Sequence, residues 1–549
     1  MKKNTCNHKD HTLWSRRSFL QGLGLSGISS MLFANSTISF ATNNQLTSAI
    51  ENADSENILL IIKLFGGNDG LNMIVPVNQY DAYANNRPTI KIPKNNLLNL
   101  TDEYAIPDFM SSLDPMWKEG KMKVVHSVGY DNQSKSHFKG SDLWASAEID
   151  SNIQETGWLG RYYDNIYTDY VLNPPESPVA IQIGSTRNIT FDGEEHKYSY
   201  AVANISSLQN IAQTGKVYQS DNIPDCEYGD NVSFLRNTYN SSYNYAGKIH
   251  DAYNRSSDYT GGVGGYPAST PAYGKLGESL NIIARLIKGN LGTKIYMVTL
   301  SGFDTHATQF DTHQGLLTNI SETISYFHED LTDAGYGDKI LTMAQSEFGR
   351  RVAENGSKGT DHGAAGPILF FGESLQGSGF VGEHADLNDL VAGNLKHHTD
   401  FRQVYSSILK NWMCVDASVV NATVLGSEYE DLNLGFACET ETETEVPPVP
   451  PIPPNEGEGV PDSVVTFETY VSFEGDDTII TLQSNTTQHI TVTLYDIKGQ
   501  RLGVIENSIL YAGVKKINVK QKNPSLAAGL YIFKAQSNYD AVSKKILIQ

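Results

Sequence analysis

Cysteine is scarce in this chain of 549 residues, with four in all, Cys6, Cys226, Cys414 and Cys438. So few exclude a disulfide-stapled scaffold. No two of them have the C-x-x-C spacing of a redox motif or a zinc ribbon. Basic residues are in deficit: 41 Lys and Arg face 62 Asp and Glu, a net charge of -21. Nucleic acid and anionic membrane surfaces call for a basic patch, so neither is expected as a partner. Such an acidic balance more often keeps a secreted protein soluble. The N-terminal apolar run, LGLSGISSMLF, is too short to persist as a spanning helix. A globular composition remains, in a chain too long for one ordinary domain.

The two ends carry addresses. Ser15 to Leu20 reads SRRSFL, a twin-arginine pattern ahead of that apolar run, and Ser39-Phe40-Ala41 offers small residues for cleavage. Residues 1–41 are therefore expected to be a signal peptide. Its route carries folded proteins, which suits a chain that takes up metal in the cytoplasm. Cys6 would leave with the leader. Cys414 and Cys438 could then pair and leave Cys226 free, although spacing alone does not decide it. Residues 439–462 (ETETETEVPPVPPIPPNEGEG and its flank) alternate acid with Thr and then run into proline, an extended spacer. Beyond it, VVTFETYVSF, TIITLQS, ITVTLYDI, KKINVK and LYIFKA read as strands of a small β-sandwich over 463–549. VTLYDIKGQRL, LAAGLYIFKA and the closing KKILIQ resemble the C-terminal sorting domain of the type IX secretion system. That resemblance implies passage across both membranes to the cell surface or beyond, with the twin-arginine and type IX export machinery as partners.

Between leader and spacer, residues 42–438 alternate. Ile58–Phe65, Lys123–Gly129, Lys294–Leu300, Lys339–Gln345 and Pro367–Gly372 are apolar runs of strand length. Leu276–Gly289 and Leu316–Leu331 have helical periodicity. The alternation predicts an α/β domain, a mixed, mostly parallel sheet with helices on both faces. Tyr218 to Tyr273, rich in Tyr, Asn, Ser and Gly without a clear period, is expected to be a long loop or cap.

Polar residues able to hold metal follow these strands. Asn68 and Asp69 come after the first and Ser134, Ser136 and His137 after the second. Asp304 and His306 follow the third, and Glu347 and Arg350 the fourth, with Asp361 and His362 close behind. In open α/β sheets, ligands bind beyond the carboxyl ends of the strands. Taken singly, GGNDG can be a glycine turn, DTH a helix cap, SEFGRR a surface ion pair and DHG a loop. Their coincidence at successive strand ends points to one metal-bearing or catalytic edge. Mixed carboxylate and imidazole donors suit zinc or manganese better than calcium or a thiolate site. Such ions can clamp a phosphoryl or sulfuryl centre. Ser136, expected to open a helix whose amides favour an anion, is the candidate nucleophile, and Arg350 the group to bridge an oxyanion. The DTH triplets Asp304–His306 and Asp311–His313 are seven residues apart. A helix that begins near Asp304 would put both on one face and bring His313 to the same edge, with Asp311 complementing the helix dipole. His397 and His398 are further ligand-type residues, for which structural roles are favoured.

LFGGNDGLNMIVPV, SKSHF, TGWLGRY, SGFDTHATQ, SEFGRRVAENGSKGTDHG and HTDFRQVYSSIL together resemble the family known as domain of unknown function 1501, from about Ile58 to Leu425. That family is similar to the alkaline phosphatase and sulfatase superfamily. The resemblance implies that Asp69, Asp304, His306, Glu347, Asp361 and His362 hold metal and that Ser136 stands at the nucleophile's place. It implies a secreted hydrolase of phosphate or sulfate esters, with a small anionic ester or a sulfated or phosphorylated glycan as substrate. Glu347-Phe348 stands where the superfamily has Asp-His, which leaves the number of metals open. SKSHF lacks the proline and arginine of a sulfatase's C/S-x-P-x-R context. The alternative from another class is a cell-surface binding or scaffold protein with a structural metal.

Overall fold

A computed structural model of the protein describes residues 56–438 and 467–548. Not described within these ranges are 150–154, 168–169, 171–173, 185–187, 195, 204, 206–207, 209–211, 213–226, 262–264, 269–274, 426–428, 475–476, 485–487, 497–500, 511–512, 524–525, 527–528 and 538–540. The expected signal peptide, the expected spacer and Cys226 lie outside the described residues. Those described form two compact units, one on each side of the spacer.

In the first unit, β1 (Ile58–Phe65) is apolar at nearly every position because both of its faces are covered. Leu60, Ile62 and Leu64 enter one core layer while Leu59 and Ile61 enter the other, the two-residue alternation of an extended chain. Its sheet partners are β2 (Met122–Gly129), β3 (Ala180–Ile183), β4 (Ser199–Val202), β5 (Ile295–Ser301), β6 (Ile340–Gln345), β7 (Gly366–Phe371), β8 (Gly379–Val381) and β9 (Thr399–Asp400). The spatial order is β8-β2-β7-β6-β1-β5-β3-β4, with β9 against β2. β1 runs parallel to β5 and β6, pairing Leu59 with both Ile295 and Leu341. β7 alone runs against its neighbours. The sheet is thus mixed and mostly parallel, the α/β class expected. The reversal of β7 has a consequence for the site: its start, Gly366, lies at the edge where the other strands end.

Helices cover both faces. α1 (His137–Ser146) follows β2, and α2 (Trp158–Ile166) and α6 (Phe401–Asn411) pack on one side, where Trp158 stacks on Tyr405 with ring centroids 4.3 Å apart. α4 (Leu276–Lys288) and α5 (Gln309–Asp333) cover the other side through Ile283, Ile287, Leu316, Ile320, Ile324 and Phe327. The expected long loop is corrected here, because Glu227–Arg255 is a 29-residue helix, α3. Its last turns do carry a helical stripe, Ala246, Ile249 and Ala252, all fully buried. The Tyr, Asn and Ser residues ahead of that stripe have middling helix propensity and hide it, and tertiary packing decides the outcome. Gly289 ends α4 where any Cβ would overlap the Ala252 carbonyl, so only glycine lets α3 and α4 close. Cys414 and Cys438 are joined as a disulfide, the pairing that spacing left open.

The second unit is two antiparallel sheets sharing one core. β10 (Phe467–Glu474), β11 (Asp477–Ser484) and β14 (Gly513–Asn518) form one, and β12 (Gln488–Asp496), β13 (Arg501–Leu510), β15 (Gly529–Gln536) and β16 (Ala541–Ile548) the other. Ile480, Leu482 and Ile517 from the first meet Val492, Leu494, Phe533 and Ile546 from the second. KKINVK does not stay extended throughout, since Val519–Lys522 turns into a short helix capped by the Asn518 side chain. Lys515 and Lys522 reach the Glu506 carboxylate at 2.8 and 2.6 Å. Burial raises the Glu506 pKa, but hydrogen bonds from Lys515, Lys522 and Ser508 outweigh it and hold the group at about 2. A depressed carboxyl contributes stability that is complete above its unfolded range, near 4.3, and is lost as pH falls toward 2. In Glu506→Gln the calorimetric transition of this unit should lie lower at pH 7 and shift less between pH 5 and pH 2. Parallel shifts in variant and parent would remove Glu506 as the titrating group.

Candidate metal centre

The strand-end loops meet because two glycines allow it. After β1 the chain turns at Gly66 and Gly67 with φ of 126° and 74°, a region that side chains disfavour. A Cβ on Gly66 would overlap the backbone of Phe303 and Asp304, and one on Gly67 the Phe348 ring. The loops after β1, β5 and β6 therefore touch. α1 brings His137 from the end of β2, and the hairpin Arg350–Glu354/Thr360–His362 brings His362 ahead of β7.

Four side chains crowd one point. Asp304 Oδ1 lies 2.9 Å from His306 Nε2, 3.2 Å from His362 Nε2 and 3.3 Å from His137 Nε2. The Nε2 atoms of His306 and His362 are 2.9 Å apart. His137, Asp304 and His362 each offer a ligand atom within 4.8 Å of the others. The far side of each ring sets its tautomer. His362 Nδ1 is 2.7 Å from the Lys135 carbonyl, which can only accept, so Nδ1 carries the proton. His137 Nδ1 is 2.9 Å from Glu347 Oε1, which also accepts from the Gly66 amide at 2.8 Å. In neutral rings this turns both Nε2 lone pairs toward an anionic oxygen. His137 Nε2 is buried without a hydrogen-bond partner, despite the proximity of Asp304.

Arg350 holds Asp304 in place. Its side chain is wholly buried, and Nη2 donates to Asp304 Oδ1 at 2.7 Å and to the carbonyls of Phe303 (3.0 Å) and Gly66. Nε reaches the Gly67 carbonyl and Nη1 the Thr360 carbonyl, each at 2.7 Å. Burial raises the Asp304 pKa, but the hydrogen bond from Arg350, a bond that His362 Nε2 can donate only when its ring is protonated, and the charges of Arg350 and His306 outweigh it, and the carboxyl falls to about 2. Burial lowers the His306 pKa. Phe348 walls the cluster, its ring centroid 5.0 Å from His137 and 4.8 Å from His362.

The expected residues are therefore dispersed. Asp304, His306 and His362 come together, with the exposed Asp361 at 3.8 Å from His306 Nδ1. Glu347 touches His137, away from the convergence point. Asp69 lies apart, fully buried in an ion pair with Arg87 at 2.5 Å and accepting from Gln309. Burial opposes its ionisation, but Arg87 prevails and lowers the Asp69 pKa. Ser136 is the exposed N-cap of α1, and its side chain makes no capping bond. α5 starts only at Gln309, so Asp304 and His306 precede the helix that carries Asp311 and His313. His313 is buried against Asn68, and burial lowers its pKa to about 4. Asp311 sits in the first turn, where it suits the dipole. His397 and His398 stay out of the cluster among the described residues. His137, metal-capable by its place after β2 but outside the ligand set that the resemblance implied, joins Asp304 and His362 at the convergence point.

The fold and this centre define an α/β protein with imidazole and carboxylate donors at the carboxyl edge of a mostly parallel sheet. The family described as protein of unknown function (DUF1501) matches residues 242–429, about a third of the chain. No curated protein matches. Among solved structures, the chain is similar to a protein in the alkaline phosphatase superfamily from Vibrio parahaemolyticus. That pair shares 9% identity with a TM-score of 0.31, and the match covers 81% of each chain. It is also similar to the PsFucS1 sulfatase from Pseudoalteromonas sp. (11% identity, 88% of this chain and 87% of that one, TM-score 0.31). A third is the lipoteichoic acid synthase LtaP from Listeria monocytogenes (8%, 70% and 76%, TM-score 0.28).

Asp69 and Asp304 separate in experiment. Asp69→Ala strands the buried Arg87 charge, which typically costs about 3–5 kcal/mol. It should lower the melting temperature and leave divalent-metal affinity within about twofold. The double variant Asp69→Leu/Arg87→Met should recover part of the loss, since it removes both charges. Weakened metal binding with an unchanged melting temperature would return Asp69 to the ligand set.

Proposed function

We propose that this chain is an exported, metal-dependent hydrolase of phosphate or sulfate esters. The convergence of His137 Nε2, Asp304 Oδ1 and His362 Nε2 carries the reading. Two neutral imidazoles whose lone pairs face a carboxylate repel it unless a cation lies between them or the rings are protonated. A tetrahedral ion with bonds of about 2.0–2.1 Å spaces its ligands by about 3.3 Å. The 3.2 and 3.3 Å separations match that spacing. Zinc or manganese fits this donor set, held by His137, Asp304 and His362 with His306 as a further donor. The bound ion would polarise the ester and lower the pKa of a bound water.

The chain's own residues supply the rest. Glu347 and the Lys135 carbonyl orient His137 and His362, as partners of ligating rings commonly do. Ser136 is the proposed nucleophile, exposed at the start of α1, where first-turn amides favour an anionic group. Arg350 acts through Asp304, because its donors already serve that carboxylate and four carbonyls. The SRRSFL leader and the sorting-domain motifs support export by the twin-arginine and type IX routes. Among the described residues no helix is long and apolar enough to cross a membrane. Small anionic esters or sulfated or phosphorylated glycans are the substrates to try.

A second reading, a surface binding or scaffold protein with a structural metal, is favoured by the same engagement of Arg350, which leaves the site without an arginine clamp. Elemental analysis and a panel of chromogenic phosphate and sulfate esters decide between them. The hydrolase reading expects bound zinc or manganese and turnover that falls at least ~10²-fold in Ser136→Ala, the scale of losing a nucleophile. Metal should be lost in acid as protons compete for the imidazole nitrogens, while Asp304, held at about 2, stays ionised. Metal-replete protein inert across the panel would leave the binding reading.

A further inference from the structure

Three observations bear on how many ions the centre takes, a question that rests on the metal-binding reading above. The first is the supply of donors. Among the described residues, one group of three ligand atoms converges, His137, Asp304 and His362, with His306 Nε2 beside it. That set completes one tetrahedral ion, or three-coordinates it with His306 at the open side. A second ion would need its own ligands, and most oxygens of the other acids at this edge are engaged. Asp69 gives Oδ2 to Arg87 and Gln309, leaving its buried Oδ1 without a partner, and Glu347 Oε1 accepts from His137 and from the Gly66 amide. Only the exposed Asp361 remains at the rim.

The second observation is geometric. The Arg350 guanidinium stands on the protein side of Asp304 and gathers oxygen atoms as a cation would: Asp304 Oδ1 and the carbonyls of Gly66, Gly67, Phe303 and Thr360. It is fully buried, and its place is fixed from three loops. The third is charge. Asp304, Glu347 and Asp361 bring three carboxylates. Arg350 and the buried Lys63, whose charge Glu347 feels, bring two positive charges. The edge alone sums to -1, one divalent ion takes it to +1, and two would take it to +3. Two would leave several uncompensated positive charges in a largely desolvated site, which is costly.

We infer that the centre is mononuclear and that Arg350 is a built-in organic cation, bridging Asp304 and the strand-end carbonyls in place of a second metal. Arg350 is thus a positioning residue. It neutralises Asp304 on one side and leaves the other side to a single ion.

The test is manganese titration of the purified full-length chain, read by elemental analysis and electron paramagnetic resonance. The parent should saturate at one Mn²⁺ per chain with the six-line spectrum of an isolated ion. Two ions per chain with an exchange-coupled multiline spectrum would overturn the inference and leave the metal reading standing. No bound ion would sink both. Arg350→Lys keeps the charge and should still saturate at one ion, whereas Arg350→Gln should take up a second equivalent. A folded Arg350→Gln protein that stops at one ion reduces Arg350 to structural support and overturns its role as the second cation. If neither variant folds, the parent's stoichiometry and spectrum alone decide.

Discussion

One buried guanidinium ties the functional edge together. Arg350 joins the turn after β1, the loop after β5 and the hairpin before β7, with Asp304 as its single anionic partner. Those segments turn buried carbonyls toward it, and a buried carbonyl left unpaired costs about 1–3 kcal/mol. A guanidinium carries five donors in a rigid fork, so it can satisfy several at once. Lysine, with one rotatable ammonium, would reach fewer of them. The same contact fixes the Asp304 carboxylate and keeps it ionised far into acid. Packing and chemistry are thus coupled at a single side chain.

That coupling explains why Phe348 is tolerated beside Glu347. The ring is buried, and it packs against His137, His362 and the missing Cβ of Gly67. A wall of that size excludes water from one side of the convergence point and holds two imidazole planes. It also removes one imidazole from the edge, in keeping with a donor set complete for one ion. Glu347 then turns from ligand to support, with its carboxylate between the Gly66 amide and the His137 Nδ1 proton.

Much of this was legible in the chain. The apolar runs β1, β2, β5, β6 and β7 announce themselves because strands covered on both faces, the antiparallel β7 included, need no polar alternation. Asp304, His306 and His362 were readable as strand-end polar residues. What could not be read was partnership. Asp69 follows β1 as a ligand would, yet Arg87, 18 positions on and unremarkable in sequence, claims it. Arg350 looks like an anion clamp until its carbonyl partners, up to 284 positions away, are seen. Helix α3 was hidden for a different reason, since only its last turns carry an apolar stripe and packing against α4 supplies the rest. The type of a side chain is local information, whereas what neutralises it is set by topology.

A centre of this kind is also a strained one. Three imidazole nitrogens lie within 3.3 Å of one carboxylate oxygen, and two of those rings have their opposite nitrogen against an acceptor, so their lone pairs face the anion when the rings are neutral. Any cation that binds there relieves that repulsion in the folded state and has no comparable site in the unfolded chain. Binding free energy then becomes folding free energy, growing as RT ln(1 + [L]/Kd). The strain is affordable because the sheet beneath is buried on both faces and the loops are pinned from the opposite side by Arg350. A preorganised, half-repelled ligand set on a rigid sheet edge is what selective uptake of one ion requires. The same rigidity would hold that ion's remaining coordination position open to a ligand.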